Sequence, residues 1–424
     1  MTGKLPALQA PATPPESVAR PRPLALHLAL QTVLRLSSKS ALPSLKAGLL
    51  PWRPELRHQA SELAKKLDSY SLEAISEAVD REAETRLREF AAGVGAYNDF
   101  ERQPADDKSA TIWRNGSTRL LHYSLGKTGR TKPGAPILAI PSLVNRSHIL
   151  DLAPSRSVIR SLADRGLDPY LIDWGEPGAE EKSFGLTEYV AGRLESALDH
   201  LGDRRGRRIG LLGYCMGGLL ALALAQRKPK RVSAIALLAT PWDFHQPNNA
   251  RGVMIRALKP QFEHLIATHR GLPVDALQAM FLSFQPFRTV DKFRAFGKIA
   301  KSHPISEKTR LFVALEDWLN DGVPLSAGVA RECLFGLYSD NNAVKGRWRV
   351  ADRPVRPGEV SQPALIVIPT DDRIVPPESA RPLAGSLPNF ECWDIETGHI
   401  GMVAGRGVSG KLHEPLGIWL RAHA

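Results

Sequence analysis

Residues 208–229 read RIGLLGYCMGGLLALALAQRKP. An apolar strand-like run through Leu212 meets Gly213-Tyr214-Cys215-Met216-Gly217-Gly218, and an Ala/Leu-rich helical stretch follows without a spacer. Strand, glycine-flanked bend and helix in that order form a nucleophile elbow. The bend forces the central residue into strained backbone geometry, and small residues two before and two after it leave room for the turn. Gly213 and Gly217 hold those two places around Cys215. The start of the helix sets free N–H groups and a positive dipole end beside the sulfur, which favours a thiolate and later an oxyanion. Cys215 is therefore expected to be a reactive thiolate, with the Met216 N–H as one oxyanion donor.

The sequence on either side places this bend in a sheet. Short apolar runs alternate with helical patterns from Leu120 onward: LLHYSL, PILAIP, a helix around SRSVIRSLADRG, and DPYLIDW. A second round runs LTEYVAGRLESALDHL, RIGLLGY, GGLLALALAQRKP and VSAIALLATP. Buried strands alternating with amphipathic helices predict an α/β fold with a mostly parallel, doubly wound sheet. The rhythm stops after Thr240 and resumes at PALIVIPTDD, FECWDIETGH and a closing helix in GKLHEPLGIWLRAH. The chain thus divides into a Pro-rich and basic amphipathic segment at 1–54, a helical lead-in at 55–110, a first core part at 111–240, an inserted helical cap at 241–360 and a last core part at 361–424.

An elbow cysteine needs a base and a residue to orient it, and in such sheets these follow in the order acid, then histidine. Asp372 stands just past ALIVIPT in TDDRIVPPES, and His399 just past the last strand in ETGHIGM. Each falls at the carboxyl end of its strand, where an open α/β sheet builds its site. Asp371 competes for the acid role. The second oxyanion donor is expected in Pro141-Ser142-Leu143-Val144-Asn145-Arg146, the loop after PILAI, at Leu143 or Val144.

Composition narrows the alternatives. Of the 424 residues 43% are hydrophobic and 24% charged, which excludes a largely disordered chain and a polytopic membrane protein. The net charge of +12 draws attention to polyanions, but no nucleic-acid reader motif accompanies it, so nucleic acid is not an expected partner. Three cysteines, Cys215, Cys333 and Cys392, are too few and scattered for a disulfide framework or a metal site; a reducing, cytoplasmic setting is expected and no metal. Cys333 and Cys392 read as packing residues. Between Glu16 and Glu55 no acid occurs, while six Lys or Arg residues sit among helically spaced leucines. Such a stretch either packs on its own domain or lies on an anionic or apolar surface. Asp173-Trp174 reads as a strand-end packing pair, and Trp242, Asp243 and His245 as cleft lining without a metal set. The run Arg204, Arg205, Arg207, Arg208 reads as a solvated loop. Gly93-Val94-Gly95 lacks the rest of a dinucleotide fingerprint.

Taken together, these segments resemble the polyhydroxyalkanoate synthase family of α/β-hydrolase-fold acyltransferases. Gly213 to Gly218 resembles its cysteine-containing lipase-like box, and PSLVNRSHILDL (141–152), YLIDWGEP (170–177), DDRIVPP (371–377) and GHIG (398–401) resemble further family segments. The resemblance covers roughly residues 110–424. It implies an acyltransferase that polymerises (R)-3-hydroxyacyl-CoA, releases CoA and needs no cofactor. By the same resemblance Cys215 is expected to carry the acyl chain, with His399 as general base and Asp372 as its partner. The implied partners are acyl-CoA, a growing polyester chain, a polymer granule surface, and a homodimer mate or second synthase subunit; the N-terminal part is closer in length to the short members, which work with such a subunit. The residues alone leave two alternatives open: a thioesterase or polyhydroxyalkanoate depolymerase with the same triad, and a non-catalytic granule- or membrane-binding protein.

Overall fold

The computed structural model describes residues 20–102, 109–123, 134–284 and 286–424. Most of the Pro-rich opening, through residue 19, lies outside the described residues. Eight strands form the main sheet: β1 (Ser109–Asn115), β2 (Thr118–Tyr123), β3 (Pro136–Ile140), β4 (Asp168–Asp173), β5 (Ile209–Tyr214), β6 (Val232–Leu238), β7 (Ala364–Pro369) and β8 (Phe390–Ile395). Their spatial order is β1-β2-β4-β3-β5-β6-β7-β8. Only the β1–β2 and β2–β4 pairings are antiparallel.

Every residue of β3, β4, β5 and β7 is buried, as expected of strands covered on both faces. Their side chains alternate between two cores. Leu138, Ile140, Leu211 and Ile366 face one cluster, and Ile137, Ala139, Leu212 and Leu365 face the other. A one-residue slip would exchange the two sets, so the register is firmly specified.

The helices divide the described chain into two compact units. The described residues of Met1–Phe100 and Gln285–Ile305 form one, and those of Glu101–Phe284 and Ser306–Ala424 the other. The first contains α1 (Leu24–Lys46), α2 (Arg57–Leu67) and α3 (Leu72–Asn98). In the second, α4 (Val158–Asp164), α5 (Glu195–Arg205) and α6 (Met216–Arg227) belong to the core, and α7 (Ala250–Ala257), α8 (Lys259–His269) and α9 (Val274–Phe284) open the insertion. Next comes α10 (Arg288–Ser302), which belongs to the first unit, and α11 (Glu307–Asn320) and α12 (Ala327–Arg331) return to the second.

The division differs from the one expected at residues 54, 110, 240 and 360, because α10 packs on α3 rather than with its neighbours in sequence. The two backbones meet where side chains vanish: a Cβ on Gly93 would lie 2.0 Å from the Phe293 carbonyl oxygen, and one on Gly297 3.0 Å from the Gly93 Cα. Phe293 fills the remaining space, edge-on to Phe90 and Tyr97 at ring distances of 6.1 and 5.5 Å.

Four smaller expectations need correction. Strand β1 precedes the first strand expected; its signal was Asn115-Gly116, a hairpin turn with Gly116 at φ +58°. The insertion is not wholly helical, since Gly271–Leu272 pairs with Leu325–Ser326, and Arg349–Val350 with Arg353–Pro354. Cys392 is exposed on the edge strand β8 rather than packed, whereas Cys333 is buried. Of the basic run, Arg204 and Arg205 end α5 rather than sit in a loop, and Arg205 is a partly buried strut whose Nε donates to the Tyr170 hydroxyl at 2.7 Å, while Arg204, Arg207 and Arg208 are exposed, Arg208 Nε donating to the Val232 carbonyl at 2.9 Å. Among the described residues no helix is long and apolar enough to cross a membrane.

Candidate active site

The elbow is built by the meeting of β5 and α6. Strand β5 ends at Tyr214, α6 begins at Met216, and Cys215 between them takes φ 56°, ψ −126°. An L-residue there costs about 1–3 kcal/mol, so the surroundings must hold it. Cys215 N–H donates to the Leu238 carbonyl at 2.8 Å, and Gly218 N–H donates to the Cys215 carbonyl at 2.9 Å. Everything from Met216 to Gln226 is buried, and each leucine in that span stabilises the helix position by about 1.5–3 kcal/mol. The glycines are required by contact. A Cβ on Gly213 would lie 2.4 Å from the Gly218 Cα, and one on Gly217 2.0 Å from the Ile140 carbonyl oxygen.

The acid and the histidine arrive on adjacent strands. Residues Pro369 of β7 and Ile395 of β8 pair in register, and beyond them Asp371 N–H donates to the Thr397 carbonyl at 3.0 Å. That lacing sets Asp372 facing His399. The Asp372 Oδ2 accepts the His399 Nδ1 proton at 2.6 Å, while its Oδ1 accepts the Ile374 and Val375 N–H groups at 2.8 and 2.9 Å. Both are buried, with exposures of 4% and 7%. Asp371, the competing acid, is exposed.

On its other side His399 faces Cys215, whose charge acts on the ring. Burial alone would lower the imidazole, but the charge of Cys215, the hydrogen bond to Asp372 and the Asp372 charge reverse this and raise it to about 10. The ring therefore favours the imidazolium. Tyr214 braces it from below: its hydroxyl donates to the His399 carbonyl at 3.3 Å, and the rings lie 5.2 Å apart.

Strand β3 brings the oxyanion loop alongside, since Ile140 pairs with Gly213. Met216 N–H, at the first position of α6, has no intrahelical acceptor. Val144 N–H is already donated to Ser142 Oγ at 3.2 Å, which leaves Leu143 as the less encumbered of the two expected donors. The loop is fixed by Trp174, whose indole N–H donates to the Pro141 carbonyl at 3.1 Å.

A family model described as the alpha/beta hydrolase fold matches residues 135–405, a span containing the elbow, the acid and the histidine. The chain belongs to the alpha/beta hydrolase fold family. Within it, the poly(3-hydroxyalkanoate) polymerase subunit PhaC of Haloferax mediterranei is 29% identical over 80% of this chain and 69% of its own length. The subunit of the same name from Allochromatium vinosum is 27% identical over 67% of this chain and 80% of its own. A solved monoacylglycerol lipase of Paleococcus ferrophilus is 17% identical, covers 69% of this chain and 97% of its own, and has a TM-score of 0.44.

Other residues singled out in the sequence brace this alpha/beta hydrolase. Asp173 pairs with Arg119 and accepts the Gly175 N–H at 3.1 Å. Asp243 accepts from Asn341 Nδ2 at 2.7 Å, and His245 Nε2 approaches the Tyr338 and Ser339 carbonyls at 3.2 Å. They tie the loop after β6 to the π-helical segment Glu332–Ser339. Sequence reading missed Tyr338 and Arg251. Arg251 on α7 donates to the Ile374 and Arg373 carbonyls at 2.7 and 2.5 Å, gripping the acid loop. Neither lies in a motif, and only the fold brings them near Asp372.

Proposed function

We propose that the chain is a poly(3-hydroxyalkanoate) polymerase, an acyltransferase that takes (R)-3-hydroxyacyl groups from CoA and joins them through an acyl thioester on Cys215. The observation that carries this reading is the buried Asp372–His399 pair set beside Cys215 at the elbow, the His399 Nδ1 proton held by Asp372 Oδ2 at 2.6 Å. Relatives named as polymerase subunits support the choice of substrate.

The chemistry balances on these groups. The Cys215 thiolate adds to the thioester carbonyl while its oxygen turns to the Met216 and Leu143 N–H groups. As the intermediate collapses, the C–S bond to CoA breaks, and His399 gives its proton to the departing thiolate. One thioester replaces another, so the acyl group keeps its activation. The acceptor 3-hydroxyl next gives its proton to His399 and attacks the carbonyl carbon. An ester forms and Cys215 leaves as thiolate, which restores the starting pair. Asp372 fixes the tautomer and stabilises the imidazolium throughout.

A second protein subunit and a polymer granule surface belong to the same proposal. The apolar residues Leu28, Val33 and Leu36 on the basic helix α1 are exposed, as a helix on such a surface requires. Deleting residues 1–54 is expected to weaken sedimentation with granules while sparing soluble turnover; unchanged sedimentation would remove the granule from the proposal.

The deciding experiment supplies the purified chain with (R)-3-hydroxybutyryl-CoA and follows both CoA and acyl product. Polymer is the expected product. Free hydroxy acid alone would make the chain a hydrolase, and absence of CoA release would remove catalysis.

A further inference from the structure

The helical insertion brings one more functional group to the relay. Tyr338 lies in the π-helical segment Glu332–Ser339, against the loop after β6. Its ring meets Phe244 edge-on at 4.9 Å, its carbonyl approaches His245 Nε2 at 3.2 Å, and α7 crosses so closely that a Cβ on Gly252 would lie 2.7 Å from that carbonyl. The backbone is thus held from two sides. The side chain is only partly buried, as Cys215 is, and both pack against the same core cluster. Burial keeps the phenol protonated, and among neighbouring charges that of Cys215 acts on it first, followed by those of Arg251, Cys333 and Asp372. The same segment touches the elbow, where Cys333 Sγ lies 3.4 Å from Met216 Sδ, so Tyr338 brings a neutral hydroxyl donor to the wall of the site.

Sheet order tells which side of the sulfur it occupies. The oxyanion loop follows β3 on one flank of β5; the loop after β6, the acid loop after β7 and the histidine loop after β8 lie on the other. Tyr338 is anchored to the β6 loop, and Arg251, gripping the acid loop, comes from the helix packed on its segment. The carbonyl oxygen of a bound acyl group turns toward β3. On the histidine flank stand the atoms that exchange a proton with His399: first the leaving sulfur of CoA, then the acceptor hydroxyl.

We propose that Tyr338 is a further catalytic residue of the transfer step, its hydroxyl donating a hydrogen bond to the acceptor hydroxyl oxygen as that oxygen loses its proton to His399 and attacks the Cys215 acyl thioester. This rests on the polymerase reading above. The proton goes to His399, the new C–O bond replaces the C–S bond, and Tyr338 keeps its own proton throughout. The bond strengthens as negative charge grows on the acceptor oxygen. A leaving thiolate sulfur in the same place is a weaker acceptor, so loading gains less from Tyr338 than transfer does.

The test compares the full-length wild type with Tyr338→Phe, which keeps the ring against Phe244. Rapid-quench kinetics with labelled (R)-3-hydroxybutyryl-CoA measures acyl-enzyme formation, and steady-state polymer growth measures transfer. Transfer is expected to fall on the order of 10- to 100-fold, the loss of one hydrogen bond to a charged centre, while loading and the melting temperature hold and acyl-enzyme accumulates. Equal falls in loading and transfer would overturn the inference, as would an unchanged Tyr338→Phe. Tyr338→Ala, which also removes the ring, separates packing: if Phe and Ala lower the melting temperature alike, the role is structural and the inference fails. A wild type that forms acyl-enzyme and releases only free acid would instead overturn the polymerase reading, and with it the hydroxyl acceptor.

Discussion

Replacing Asp372 by Asn changes one atom type in the relay and little else. The carboxylate accepts three hydrogen bonds, two from the Ile374 and Val375 N–H groups through Oδ1 and one from His399 Nδ1 through Oδ2. Asparagine can keep the first two with its own oxygen. It must then point its NH₂ group at the imidazole, where a donor meets a donor. The ring can answer only by moving its proton to Nε2, the nitrogen that faces Cys215, and it loses a negative charge as well. The rise of His399 from 6.5 to about 10 corresponds to about 5 kcal/mol in favour of the imidazolium, at about 1.4 kcal/mol per pH unit. Burial opposes that preference; the Cys215 charge is its larger source, and the hydrogen bond and charge of Asp372 follow. With the tautomer reversed and the carboxylate gone, acyl-enzyme formation is expected to fall by about 10²- to 10⁴-fold, the range that assisted proton transfer contributes. Folding should change little, since the side-chain volume and both backbone bonds survive. Rapid-quench loading kinetics beside thermal melting measures the two effects separately. Wild-type loading in a folded Asp372→Asn protein would refute the relay.

Three further outcomes follow from the same geometry. His399 lies above its ordinary 6.5, so its stabilising contribution is complete below 6.5 and is lost as pH rises through about 10; NMR of the ring should show imidazolium at pH 8, and Cys215→Ser should move the midpoint down by roughly 1–3 pH units as the neighbouring charge goes. A midpoint that stays at 10 in Cys215→Ser would remove the thiolate as its cause. Gly217→Ala places a Cβ 2.0 Å from the Ile140 carbonyl oxygen and 2.7 Å from that of Pro141; both are backbone atoms, so the elbow must move, and a loss of at least about 1–3 kcal/mol of stability together with acyl-enzyme formation is expected, with an unaltered denaturation midpoint counting against the close fit. Cys392, exposed on the edge strand, should react with a maleimide while activity persists once Cys215 is shielded by acylation; activity lost in proportion to Cys392 labelling would contradict its placement outside the site.

How much of this was legible in the sequence depended on whether the determinant was local. The elbow is local: Gly213 and Gly217 are needed by the turn itself, and β5 and α6 are continuous apolar runs on either side. Asp372 and His399 were legible through their distance past a buried strand, because a parallel sheet delivers every strand end to one edge. Strand β1 was overlooked because Arg114 interrupts its apolar pattern on a half-exposed strand, although Asn115-Gly116 marked the turn. The pairing of α10 with α3 could not be read from periodicity, since it depends on Gly93 and Gly297, about two hundred residues apart in sequence, presenting bare backbone to each other. Tyr338 and Arg251 were invisible for the same reason: a lone tyrosine and a lone arginine in helical segments signal nothing until the fold lays them beside the acid loop.

Whether the elbow sulfur carries the acyl group is tested most directly by mass analysis of the acid-quenched enzyme after a single turnover of (R)-3-hydroxybutyryl-CoA. An added 3-hydroxybutyryl mass on the peptide containing Cys215, absent in Cys215→Ala and scarce in Asp372→Asn, is the expected result. An adduct on another residue, or one that persists without Cys215, would contradict it.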